Sequence, residues 1–439
     1  MSSVFYRDPG ASYPVAVRGE GVYIYDSEGR RYLDMSGGAA VSCLGHGHPD
    51  IVRAVQDQAA RLSFAHTAFF TNEAQEDLAS RLAARFAEPG ARVWFTSGGS
   101  ESNETALKIA WQYWRARDKP DKTLIISRQF SYHGGTLGAT SISGSVFRRT
   151  PYEKVLHDWP RIAPCYAYRH KQEDETDHEY GHRVAAELDE AIRVAGPENV
   201  AAFIAEPVVG ATLGVVPAVD GYFAEIRRIC DEHDVLLITD EVMCGSGRTG
   251  TFYAHEHDGI VPDMVTIAKG LGGGYQPIGA VIARSHVCET LQGDKEAFAH
   301  GHTYIGHAIA CAAGVAIQQC LDDGLLDSVA DKGQRLTGCL RERFGAHPHV
   351  GDIRGRGLFI GIEFVADTKS KTAFPTGDGI PGKLKKAAMQ HCLICYPGGG
   401  SVDGRQGAHV LLAPPCIAED RHFAELADKL DAVLGDVFS

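Results

Sequence analysis

From Thr71 onward the chain alternates short apolar runs with longer stretches of helical period. The runs, at 93–95, 124–126, 201–205, 235–239, 264–268 and 278–283, are rich in β-branched residues and of strand length. Between them, apolar positions recur at helical spacing over 73–86, 101–117, 184–195 and 221–233. This rhythm predicts an α/β fold, a mostly parallel sheet between layers of helices. Upstream, 13–34 alternates and turns at Gly19-Glu20-Gly21 and Ser27-Glu28-Gly29, which predicts small antiparallel strands ahead of a helix at about 49–62. Downstream of a helix at about 303–322, strands at 354–363, 393–396 and 410–412 mix with helices at 326–344, 382–391 and 419–435. That section predicts a small α+β domain packed with the N-terminal strands. The expected division is 1–62 as the N-terminal part of the small domain, 63–323 as the large domain and 324–439 as the C-terminal small domain. Residues 157–182, dense in prolines, aromatics and acids, break the rhythm and are expected to run over the surface.

Two strand ends carry candidate chemistry. The run at 235–239 ends in Asp240-Glu241, and the run at 264–268 ends in Lys269-Gly270, with three glycines at 272–274. Acid and lysine thus fall at the C-terminal edge of two parallel strands, where open α/β sheets bind ligands. Pyridoxal phosphate (PLP) chemistry uses this pair, a lysine for the Schiff base and a carboxylate that keeps the pyridine nitrogen protonated. A strand-end salt bridge explains the pair equally well when it is taken alone.

Two further segments bear on the choice. Thr96-Ser97-Gly98-Gly99-Ser100-Glu101 follows a strand and opens a helix, so free N–H groups and the positive end of the helix dipole face an anion. Neither a GK[ST] nor a GxGxxG pattern follows, which excludes the P-loop and the dinucleotide fingerprint. Tyr132, in Ser131-Tyr132-His133-Gly134-Gly135 after the next strand, can stack on a cofactor ring, and Val242 can press on its other face. Core packing accounts for either residue alone.

Composition narrows the class. The 439 residues are 44% hydrophobic and 23% charged, with net charge −13, so no general affinity for nucleic acid or an anionic membrane is expected. The N-terminus lacks a signal-peptide pattern, and no apolar run approaches the roughly 18 residues of a membrane span. Eleven cysteines without a framework read as reduced thiols in a cytoplasmic protein, and Cys392 and Cys395 form a lone CxxC. No metal site is expected. His46 and His48 read as loop histidines, because no carboxylate or cysteine stands at ligand spacing.

Six segments occur together in order: Gly-Gly-Ser-Glu at 98–101, Tyr-His-Gly at 132–134, Glu206-Pro207-Val208, Asp240-Glu241-Val242, Lys269-Gly270 and His300-Gly301-His302-Thr303-Tyr304. Over about 13–433 the chain resembles the class III, fold type I, PLP-dependent aminotransferases. The resemblance implies that Lys269 forms the aldimine and carries the proton between substrate and cofactor, with Asp240 on the pyridine nitrogen. It implies Gly99 and Ser100 on the phosphate, joined by Thr303 from a neighbouring subunit. Tyr132 and His133 come beside the ring, with Val242 behind it and Glu206 in support. The active unit is then at least a homodimer, or a dimer of dimers.

The departures suggest a branch. Ornithine-, acetylornithine- and GABA-type members carry an arginine where this chain has Gly135, and a Gln-Gly-Glu segment where it has Val209-Gly210-Ala211. Without those anchors 2-oxoglutarate is expected to bind poorly. What remains resembles the ω-amino-acid or amine:pyruvate aminotransferases, which transfer an amino group from an amine to pyruvate or a similar keto acid by a ping-pong mechanism. Their mobile carboxylate-binding arginine matches Arg405, between glycines and ahead of Ala413-Pro414-Pro415, although a solvated loop cation fits Arg405 too. Phe64, Phe69 and Phe70 lie in a stretch that lines the substrate pocket in relatives, and Ser42 stands near where bulky-amine enzymes have tryptophan. A racemase, aminomutase or decarboxylase on the same fold, and a non-catalytic PLP-binding protein, remain as alternatives.

Overall fold

The computed structural model describes residues 3–8, 10–293 and 298–438. Its centre is a seven-stranded sheet in the order Arg92–Thr96, Gly279–Ala283, Met264–Ile267, Leu236–Asp240, Val200–Ala205, Leu124–Arg128 and Arg161–Ile162. Val200–Ala205 and Leu236–Asp240 are buried at every position, as continuous apolar strands covered on both faces must be. Gly279–Ala283 runs antiparallel to both neighbours, and the other strand pairs are parallel, so the expectation of a mostly parallel sheet holds.

Register positions the site. Asp240 stands opposite Thr266, so Lys269 follows a short way beyond the same edge. Because Gly279–Ala283 is reversed, its N-terminal end, rather than its C-terminal end, reaches that edge. Gly279 pairs with Thr96 there, at the start of the glycine-rich turn. A Cβ at Gly279 would lie 2.6 Å from Thr96 Oγ1, so only glycine permits this approach.

The termini build two smaller sheets. Ala16–Glu20, Tyr23–Asp26 and Arg31–Asp34 form the expected antiparallel strands, and Leu393–Ile394 adds to them in parallel, Leu393 facing Leu33. The other sheet is antiparallel in the order Val350–Arg356, Phe359–Phe364, Ala408–Leu412 and Tyr396–Gly399. The expected single strand at 354–363 is therefore a hairpin, turned at Gly357 (φ 55°). The expected strand at 393–396 is divided between the two sheets at Cys395.

Two helix starts also differ from the pattern. Asp177–Ala195 begins well before 184, because Thr176 and Glu179 form a reciprocal capping box. Much of the 157–182 excursion is consequently structured: Arg161–Ile162 extends the central sheet, and Cys165, Tyr166 and Tyr180 are buried. The helix expected from 303 begins at Ala308. The helical run Ala308–Phe344 contains an 18-residue window of mean hydropathy 1.2, more apolar than the sequence survey allowed. Ala310, Cys311, Ala313 and Ile317 on it are buried in the main core cluster, which accounts for that apolarity.

Candidate active site

Asp240 is held by three hydrogen bonds at the sheet edge. It is 3% exposed; its Oδ2 accepts from Asn103 Nδ2 at 2.8 Å and pairs with His133 Nδ1 at 2.7 Å, while Oδ1 accepts the Val242 N–H at 3.0 Å. A carboxylate must be paired or bonded in this way to remain charged when buried. Asn103 is itself oriented: its Oδ1 accepts from Thr266 Oγ1 at 2.7 Å, which leaves Nδ2 to donate to Asp240 and to the His133 carbonyl at 2.6 Å. His133 Nε2 is buried and has no hydrogen-bond partner among the described residues. Glu206 lies alongside, accepting the N–H groups of Tyr132 and Gly210, both at 3.1 Å. Burial raises its carboxyl above the ordinary range; the Asp240 charge adds to this and His133 opposes it.

Lys269 follows the neighbouring strand in a left-handed backbone conformation (φ 47°), an uncommon state for a residue with a Cβ. Desolvation lowers its ammonium pKa from the ordinary lysine range. The charges of Asp240 and Glu206 resist, and that of Arg148 adds to the lowering. The result is a more readily available neutral amine, the nucleophilic form.

Lys269 and Asp240 line one cavity of about 430 Å³ together with Gly99, Ser100, Tyr132, His133, Glu206 and Val242. The helix Gly99–Ala116 opens onto it, and its first internal bond runs from Ser102 N–H to Gly98 O, so the amides of Gly99 and Ser100 precede that bond. A Cβ at Gly99 would come 2.6 Å from Val242 Cγ1; glycine lets the turn close on that wall. Ser100 Oγ accepts the Gly135 N–H at 3.0 Å, tying this turn to the Tyr-His-Gly segment. A group with a phosphate, a protonated ring nitrogen and a carbonyl fits this donor set: helix amides and Ser100, a bonded buried carboxylate, and a desolvated lysine.

Other candidates fall elsewhere. Arg405 is exposed and lines a second cavity of about 680 Å³, which adjoins the first at Ala211. Thr303 is exposed and outside its own chain's cavity, as are Phe69 and Phe70, which are 80% and 67% exposed. Ser42 is buried behind the wall, which Val41 and Gly274 form instead. The sequence reading missed Asn103, Thr266 and Arg148. Asn103 was findable, since it stands one helical turn after Ser100 on the helix that opens the cradle. Ligand atoms of His48, Asp50 and Cys320 lie within 4.8 Å of one another, although Asp50 is exposed and none of the three lines the cavity. All eleven cysteines are free.

The lysine–aspartate pair at this sheet edge, with the phosphate cradle, defines a fold type I PLP-dependent enzyme. A family profile described as Aminotransferase class-III matches residues 6–434. An uncharacterized aminotransferase of Schizosaccharomyces pombe is 42% identical, over 98% of this chain and 94% of its own. The diaminobutyrate–2-oxoglutarate transaminase of Halomonas elongata is 38% identical, over 87% and 82%. The crystal structure of an (S)-enantioselective ω-transaminase from Thermomicrobium roseum superposes with a TM-score of 0.90 at 36% identity, covering 99% of this chain and 97% of that one. The chain belongs to the class III aminotransferases, and it is a PLP-dependent aminotransferase.

Proposed function

We propose that the enzyme moves an amino group from an amine or ω-amino acid to pyruvate or a similar keto acid, in two half-reactions of a ping-pong cycle. The observation that carries this reading is the meeting of Lys269 and Asp240 in one cavity that adjoins a larger chamber. When bound, PLP supplies an electron-accepting ring for the charge that develops at the donor carbon. Lys269 would hold the cofactor covalently, and its released Nζ would take and return the proton at that carbon. Asp240, bonded by His133 and Asn103, would hold a proton on the ring nitrogen. Gly99 and Ser100 would bind the phosphate, Tyr132 and Val242 would hold the ring, and His133 and Glu206 would support the site around Asp240. Thr303 of a second copy would complete the phosphate site, which its exposed position outside its own cavity supports and which makes the active unit a homodimer. Arg405 would meet the keto acid carboxylate from its flanking glycines. Replacing Lys269 by Ala should abolish turnover with every donor; turnover like wild type in K269A would remove Lys269 from this role.

A further inference from the structure

The chamber beyond Ala211 is more specific than an apolar pocket. Phe130, Phe147, Pro151, Tyr396 and Pro397 give it apolar walls, and two guanidinium groups, Arg148 and Arg405, line it with no acidic residue. In a chain of net charge −13, an acid-free chamber with two cations points to an anionic occupant. The two arginines differ in kind. Arg405 is exposed, on a turn fixed by Asp403 Oδ1, which accepts the Arg405 and Gln406 N–H groups at 2.8 and 2.6 Å. Arg148 is half-buried, with its guanidinium 4.3 Å from the centroid of the Tyr132 ring, and Tyr132 lines the reaction cavity. Its charge also reaches Lys269. Its neighbour Arg149 has a structural task, donating to the carbonyls of Thr140, Ser141 and Ser143 at 2.9, 2.7 and 3.2 Å. Arg148 has no hydrogen bond and no ion pair among the described residues; its five N–H donors are held beside the cavity with only a ring face for company.

We propose that Arg148 is the resident carboxylate anchor of this site, and that the preferred donors are ω-amino acids with an unbranched apolar chain between amine and carboxylate. The inference rests on the aminotransfer reading above. A substrate whose amine is seated beside Lys269 extends past Ala211 along the apolar walls and places its carboxylate on Arg148. The geometry of a guanidinium suits a bidentate pair with that group. Gly135 leaves vacant the position where related branches carry an arginine; Arg148 supplies a cation from another element instead.

The test compares holoenzyme of wild type, Arg148→Gln, Arg148→Lys and Arg405→Gln, with pyruvate as acceptor and 5-aminopentanoate or 1-aminopentane as donor. In R148Q the ratio of kcat/KM for 5-aminopentanoate over 1-aminopentane should fall roughly 10- to 100-fold, the range for a charge-assisted pair. R148K should recover part of it. Calorimetry with pentanoate, which has no amine to react, should show binding to wild-type holoenzyme that weakens similarly in R148Q. An equal loss with both donors would make Arg148 a support for Tyr132 and overturn the proposal. So would an unchanged ratio, or a loss confined to R405Q. Wild-type enzyme inert to both amines would fail the donor reading instead, and pentanoate binding would then decide the anchor: unaltered binding in R148Q overturns it.

Discussion

Asn103 is the sharpest place to test how the buried carboxylate is held. Replacement by Ala removes the 2.8 Å bond to Asp240 Oδ2 and the 2.6 Å bond to the His133 carbonyl, and leaves Thr266 Oγ1 without its acceptor. A hydrogen bond to a buried charged group contributes roughly 1.5–3 kcal/mol. If the bond to Asp240 matters most in the reacting state, its loss reads as roughly a 10- to 150-fold fall in kcat. Because Asn103 lines neither cavity, KM for the donor should move little. Activity should be expressed per bound cofactor, measured by absorbance, so that weaker loading is not mistaken for slower chemistry. Asn103→Asp places a second carboxylate where the donor stood and should cost more than Ala. A kcat per bound cofactor within about twofold of wild type in N103A would refute the reasoning, because the bond to Asp240 would then be no stronger in the reacting state than before it.

Other outcomes follow from the same geometry. Gly99→Ala should weaken cofactor retention on dialysis, because its Cβ would press on Val242; retention like wild type would count against Gly99 in the phosphate cradle. Thr303→Ala should also loosen the cofactor although Thr303 lies outside its own chain's cavity, and unchanged retention would count against a site shared between subunits. His409 is fully buried, and burial, aided by Arg354, pushes its pKa down to about 4. The unfolded histidine titrates near 6.5, so above that pH its protonation adds no pH dependence to stability. As pH falls from about 6.5 to 4, only the unfolded state takes the proton, and stability drops by up to about 3 kcal/mol. Melting curves of His409→Gln should be flatter than wild type across that window; parallel curves would contradict the assignment.

The sequence pattern disclosed six of the seven central strands because each is a short apolar run of strand length, and it missed Arg161–Ile162, two residues inside a stretch rich in prolines and aromatics. It disclosed Asp240 and Lys269 because each directly follows such a run. It failed where the environment changes within a few residues. The 393–396 run serves two sheets, and its apolar character is the same on both sides of Cys395. The 354–363 run hides a turn at Gly357, where a Cβ would collide with the backbone of Thr249. Arg148 escaped because it sits on the four-residue helix Val146–Arg149, too short to carry a period, and nothing local separates it from Arg149. Thr303, Phe69 and Phe70 all lie outside their own chain's cavity, and nothing in the local pattern around them marks that.

The most direct measurement follows the visible absorbance of holoenzyme mixed with one donor and no keto acid. β-Alanine, a diamine, an aryl-alkyl amine, L-alanine and L-glutamate would be tested in turn. The band should be lost stoichiometrically with donors lacking an α-carboxylate, change little with glutamate, and return on adding pyruvate. A band that responds to glutamate and returns with 2-oxoglutarate but not with pyruvate would contradict the proposed function.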